Sequence, residues 1–142
     1  VCAVDGSRNA HAACDAALAL MKPQDTLQVL HIAAEATDAD GSARALTARV
    51  REEYEGVLLR AQVRGGVTVT ERAASQTIAQ QVCAFADKKS AHYLVIGVDG
   101  MGAFVKEGGG SLPVLGSNSD QIVQAARCTT VICKLMAQTD DA

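Results

Sequence analysis

The chain has 142 residues, which suits one domain long enough to bury a proper core. Its net charge is −3, and its Lys and Arg residues are scattered without an aromatic-interleaved stripe, which argues against a nucleic-acid binder. No apolar run approaches the roughly 20 residues of a bilayer span, and with two Tyr, two Phe and no Trp the core must be built from Ala, Val, Leu and Ile.

Residues 1–4 read as a short apolar strand that stops at Asp5-Gly6-Ser7. Ala10, Ala13, Cys14, Ala17, Leu18 and Met21 then recur at helical spacing, with Ser7 or Asn9 as cap and Pro23 just past the end. Residues 26–33, rich in Leu, Val and Ile, predict a second strand. A polar loop around Asp38-Ala39-Asp40-Gly41-Ser42 leads into a long helix with Leu46, Val50, Tyr54, Val57, Leu58 and Ala61 on its inner face. Gly65-Gly66 is the expected end of that helix.

Alternating β-branched residues over 67–70 predict a strand of partial burial. Ser75 is the expected cap of a third helix, with Ile78, Val82, Phe85 and Ala86 inward. Lys88 and Lys89 fall in its last turn, where cations suit the helix dipole. Residues 93–96 form a fourth strand that runs into Gly97-Val98-Asp99-Gly100. Ser117-Asn118-Ser119-Asp120 has the form of a capping box with Ser117 as the cap, and Ile122, Val123 and Ala126 continue that helix inward. Residues 129–134 give a last strand, and the tail from Gln138 is polar.

Strands alternating with helices predict an α/β fold, a doubly wound five-stranded parallel sheet with helices on both faces. Such sheets bind ligands beyond the carboxyl ends of their strands, where strand order reverses. Asp5 follows strand one and Gly97 follows strand four, so neighbouring strands there would bring both motifs to one crevice. An apolar strand, a glycine turn and the helix start at Gly116-Ser117 together make a place to hold an anion, which points to nucleotide binding.

These residues resemble one family. Val4-Asp5-Gly6-Ser7 resembles the V-D-G-S that closes the first strand of universal stress protein domains, and Leu30-His31-Ile32 resembles their L-H-V. Val95-Ile96-Gly97-x-x-Gly100 and Leu115-Gly116-Ser117-x-Ser119 resemble their nucleotide signature, G-x-x-G-x9-G-S. The resemblance implies a Rossmann-like, adenine nucleotide alpha hydrolase-like fold that binds ATP or another adenine nucleotide, with or without Mg²⁺. It implies that Asp5 contacts the ribose and that Ile32 and Ala33 flank the adenine, with Ala3 and Ile96 also among the nucleotide-binding residues. Gly97 and Gly100 would admit the phosphates, and Gly116, Ser117, Asn118 and Ser119 would cap them. It further implies a homodimer through the last strand at Val131, Ile132 and Cys133, whose edge would otherwise be exposed.

The chain departs from the family pattern in two places. The Gly100-to-Gly116 spacing is six residues too long, which predicts a loop insertion around 101–115 within a domain over 1–136, followed by a polar tail over 137–142. The nine-residue spacing falls instead on Gly110-Ser111, but Pro113 follows closely and no helical period begins there. Asp99 stands where many members resemble S-R-G or S-H-G, and an acid there opposes a polyphosphate unless Mg²⁺ or Lys106 offsets it. The Gly108-Gly109-Gly110 run reads either as a mobile lid or as an insertion with no role.

Other chemistries find little support. The five cysteines have no C-x-x-C spacing and read as small buried hydrophobes in a reduced, cytoplasmic setting. His31 reads as a structural histidine, and His11 and His92 carry no partner signal. Asp5 reads either as a ligand contact or as a turn former. Ser117 lacks the G-x-S-x-G elbow, the acids show no metal-ligand spacing, and the G-x-x-x-x-G-K-[ST] loop is missing. Asp5-Gly6-Ser7-Arg8 is also not the S-G-G-x-D-S loop of pyrophosphate-releasing ligases. The resemblance implies a stress-response sensor or regulator, without strong catalysis because no general base is evident, and the alternative is a nucleotide-free dimerising scaffold of the same fold. It opens without Met in residues that already read as strand, so its natural start is expected upstream.

Overall fold

The computed structural model describes residues 1–34, 41–98 and 115–135. Asp38 to Asp40, Asp99, Gly100, Lys106, Gly108 to Gly110, Ser111, Pro113 and the tail from Gln138 lie outside them. Among the described residues the order is β1 (Cys2–Val4), α1 (Arg8–Leu20), β2 (Thr26–Ala33), α2 (Ser42–Ala61), β3 (Arg64–Glu71), α3 (Ile78–Lys88), β4 (Tyr93–Gly97), α4 (Ser117–Ala125) and β5 (Thr129–Cys133). The sheet runs β3-β2-β1-β4-β5 with every pair parallel. Strand order therefore reverses between β1 and β4, which meets the condition under which Asp5 and Gly97 share one crevice.

Two cores flank the sheet. Cys2, Val4, Leu27 and Val29 face α1 and α2, where they meet Ala13, Cys14, Val50 and Tyr54. Leu30, Leu94 and Ile96 face α3 and α4, where they meet Val82, Ala86 and Ile122. Alanines along α1 let that helix lie close to the sheet without large side chains, which suits a chain poor in aromatics. All five cysteines are free; Cys2 and Cys14 are buried and the other three partly so. His31 is buried and donates from Nδ1 to the Val4 carbonyl oxygen (3.0 Å), so it has the structural role expected of it.

Several local expectations are corrected. Gly65 and Gly66 do not end α2; Gln62 does, with a left-handed φ of 55° and its N–H on the Leu58 and Leu59 carbonyls. The two glycines instead open β3, and Ala61 is exposed. Thr77, not Ser75, caps α3, in a reciprocal capping box with Gln80. Gly116 takes the cap position of α4 without a side-chain bond, which leaves Ser117 inside the helix, and Val123 is 41% exposed. His11 does have partners, since it stacks on Tyr54 with ring centroids 5.6 Å apart and lies 3.5 Å from Glu53.

Tyr54 is fully buried, and its hydroxyl has no hydrogen-bond partner among the described residues. Burial foremost, then the neighbouring Cys14, Cys2, Glu53 and Asp5, push its phenol well above the ordinary tyrosine value. The folded state holds the neutral form, so this contribution to stability is complete below about pH 10 and is lost as pH rises beyond it. Tyr54→Phe is expected to gain about 1 kcal/mol at neutral pH, because the orphaned hydroxyl disappears. Urea unfolding at neutral and alkaline pH should also show a shallower alkaline decline for the variant. An unchanged decline would assign the pH dependence to other groups.

Candidate functional site

The end of β1 is held by two local bonds. Asp5 Oδ1 accepts the Ser7 N–H (2.9 Å), and Ser7 Oγ accepts the Ala10 N–H (3.2 Å) as the cap of α1. The first bond is an Asx turn, which fixes the carboxylate at the mouth of the β1–β4 junction. Of the two caps open in the sequence, Ser7 is the one used. Asn9 lies within α1, and its side-chain oxygen accepts the Leu135 N–H (2.9 Å).

The end of β4 is held more tightly. A side chain at Gly97 would meet the Asn9 carbonyl carbon at 2.8 Å, so the glycine lets the first turn of α1 approach the strand. The Val98 N–H donates to the Cys133 carbonyl (2.9 Å), and the Gly116 N–H donates to the Val98 carbonyl (3.2 Å). Ser119 is 7% exposed, and its hydroxyl lies 3.0 Å from both the Gly97 and Val98 carbonyl oxygens. Its single proton is therefore engaged with the backbone, and toward a ligand it offers lone pairs only.

Between these ends lies a cleft of about 150 Å³ on the α3 and α4 side of the sheet. Ala3, Asp5, Ile32, Ile96, Gly97, Asn118 and Ser119 all line it, so the structure brings seven of the expected site residues together. Ala33, Gly116 and Ser117 are not among the lining residues, and Gly100 lies outside the described chain. Ala33 is buried at the end of β2, with its carbonyl oxygen accepting the Arg72 N–H (3.0 Å).

The sequence reading missed Ser7 and Leu30 in the lining, and also Ile78 and Val82 of α3. The two α3 residues were legible only as an i, i+4 apolar pair, which marks a buried face and does not distinguish core from cavity wall. The described lining contains one carboxylate and no His, Cys, Lys or Arg. Asp120 lies in the first turn of α4, whose N-terminal N–H groups carry the positive end of the helix dipole at the cleft mouth.

Among the described residues, no helix is long and apolar enough to cross a membrane. No group of three or more His, Cys, Asp or Glu is placed to hold a metal ion there. No curated protein matches the chain. The fold is shared with solved structures at low identity. One is a universal stress protein family member from Burkholderia pseudomallei, 21% identical with a TM-score of 0.67, covering 92% of this chain and 91% of that one. Another is the universal stress protein UspA from Lactobacillus plantarum, 15% identical with a TM-score of 0.73, covering 93% and 94%. A third is a universal stress protein family protein from Arabidopsis thaliana with AMP bound, 15% identical with a TM-score of 0.66, covering 98% and 94%. The sequence profile of the universal stress protein family matches residues 1–134. With nearly the whole chain under that match, the protein belongs to the universal stress protein family.

Proposed function

We propose that this chain binds an adenine nucleotide, ATP, ADP or AMP, in the cleft between the β1 and β4 ends and acts as a stress-response sensor or regulator without strong catalysis. One observation carries the reading: at the strand-order reversal an acid, a glycine strand end and a helix N-terminus surround an apolar cleft. Asp5 suits ribose hydroxyls, the apolar walls suit a base, and the α4 start suits phosphate. The cavity is below the roughly 300–1,000 Å³ of ordinary small-molecule sites, which suits a base inside it with phosphates at the mouth. The AMP held by the Arabidopsis relative supports the same class of ligand. Mg²⁺ would arrive with the phosphates, and the five free thiols fit a reduced, cytoplasmic setting.

Calorimetric titration with ATP, with and without Mg²⁺, and with AMP tests this reading. Asp5→Ala is expected to weaken binding about thirtyfold, from about 2 kcal/mol of lost charge-assisted hydrogen bonding. Equal affinity in folded wild type and variant would remove Asp5 from the site.

The same chain forms a homodimer through β5, in this reading. Among the described residues β5 pairs only with β4, and its other edge, at Val131, Ile132 and Cys133, meets no strand, with Ile132 37% exposed. Sedimentation at micromolar concentration is expected to give a dimer, and Val131→Pro is expected to give monomers; a wild-type monomer refutes the interface. A nucleotide-free scaffold is the second reading, favoured by the engaged Ser119 proton. Folded dimers that give no heat with any nucleotide would establish it.

A further inference from the structure

Two cysteines on the α1 and α2 side of the sheet carry chemistry that the cleft does not use. Cys2 stands in β1 and Cys14 in the middle of α1, and both belong to the core between these elements. They are 0% and 2% exposed, and their side chains meet in a thiol–thiol hydrogen bond. Tyr54, with its unpartnered hydroxyl, packs in the same core. The bond to Cys14, and then burial, holds the Cys2 thiol well above its ordinary value, whereas the same bond lowers that of Cys14. Cys14 is therefore the sulfur of the pair that reaches the thiolate form first. Burial raises the thiols of Cys83 and Cys133, which places them behind Cys14 as nucleophiles. Access comes from the cover. Helix α1 presents Ala10, Ala13, Cys14 and Ala17 to the core, and such small side chains bury little apolar area each. Local opening of a helix held this lightly costs less than global unfolding and admits a small oxidant.

We propose that Cys2 and Cys14 are an oxidation site, where a peroxide converts the contacting thiols into a reversible disulfide between β1 and α1. The site is separate from the cleft and does not depend on a nucleotide. The Cys14 thiolate attacks one peroxide oxygen and the O–O bond breaks. The sulfur becomes a sulfenic acid, and the departing hydroxide takes up a proton as water. The Cys2 sulfur then attacks the Cys14 sulfur. The S–S bond forms, the S–O bond breaks, and the Cys2 proton leaves with the hydroxide as a second water. The two thiols lose two electrons in all, and the peroxide gains them. A dithiol restores the pair by exchange through a mixed disulfide. Such a transient bond is the form in which disulfides occur in reducing compartments.

Peptide mapping by mass spectrometry tests the proposal on the folded full chain, treated with hydrogen peroxide and then with a reagent that blocks the remaining thiols. The expected result is a Cys2–Cys14 cross-linked peptide pair, two hydrogens lighter than the reduced peptides and lost on treatment with dithiothreitol. Cys2→Ser keeps a donor to the Cys14 sulfur but cannot close the bond. Oxidation of that variant is expected to stop at the Cys14 sulfenic acid, trapped as an adduct with a 1,3-diketone. Cys2→Ala takes its place if the first variant folds poorly. A cross-link between other cysteines alone, or Cys2 and Cys14 both still reduced, overturns the proposal. Wild-type Cys14 that passes to sulfinic acid without bonding to Cys2 also overturns it. Absence of the trapped adduct in the folded variant removes Cys14 as the attacking sulfur and overturns the route.

Discussion

Gly65→Ala is expected to remove about 4 kcal/mol of stability, a large share of the roughly 5–15 kcal/mol that holds a domain together. Gly65 stands directly opposite Leu27 in the β2–β3 pairing, with a φ of +154°. A Cβ built there would lie 1.8 Å from the Leu27 carbonyl oxygen and 2.8 Å from its carbonyl carbon. Both contacts are backbone, so no side chain can swing aside. The strands must separate at the point where Leu27, 3% exposed, enters the core. Gly66 supplies the control, since nothing lies within 4 Å of a Cβ there. Urea midpoints should fall sharply for Gly65→Ala and stay within about 0.5 kcal/mol of wild type for Gly66→Ala. Equal midpoints for the two variants would refute the close approach.

The second large effect is expected at Gly97, where stability and the site are linked. Replacement by valine presses a branched side chain onto the Asn9 backbone, whose carbonyl carbon and oxygen would lie 2.8 and 3.0 Å from the new Cβ. Helix α1 must lift away from β4, at a cost of about 3 kcal/mol. The same turn of α1 carries the Ser7 cap and, through it, the orientation of Asp5. Gly97→Val should therefore lose stability and, at a temperature where it remains folded, also lose nucleotide affinity. Retention of full affinity in the folded variant would separate the α1 approach from the site.

The fold was legible because a parallel sheet covered on both faces writes itself as apolar runs of strand length between helical periods. Thr26–Ala33 and Tyr93–Gly97 are such runs, whereas the reversal between β1 and β4 is set by tertiary pairing and was only a condition of the single-crevice reading. Glycine was harder to interpret. Gly65-Gly66 has the look of a helix stop, yet Gly65 serves a backbone-to-backbone approach of the edge strand β3 to β2, which depends on a partner far along the chain.

Caps were legible where the chemistry is complete. Thr77 and Gln80 form the T-x-x-Q pair of a capping box, and attention to that spacing would have displaced Ser75. Ser117 misled because Ser-x-x-Asp has the same form, while the chain actually turns into the helix at Gly116 and spends the Ser119 hydroxyl on the β4 end. Ile78 and Val82 show the limit of periodicity, since a face that packs and a face that lines a cavity have the same spacing.

The bond from the Gly116 N–H to the Val98 carbonyl has a consequence for how this domain can diversify. It joins the two points between which residues 99–114 leave and rejoin the described chain, and Ser119 reinforces the junction from inside α4. Ring closure between anchored ends depends only logarithmically on the length enclosed, with each doubling costing about 0.6 kcal/mol. The junction is thus a splice point. Sequence gained, lost or exchanged there leaves the register of five strands untouched, so length can change at this place at little thermodynamic risk to the fold.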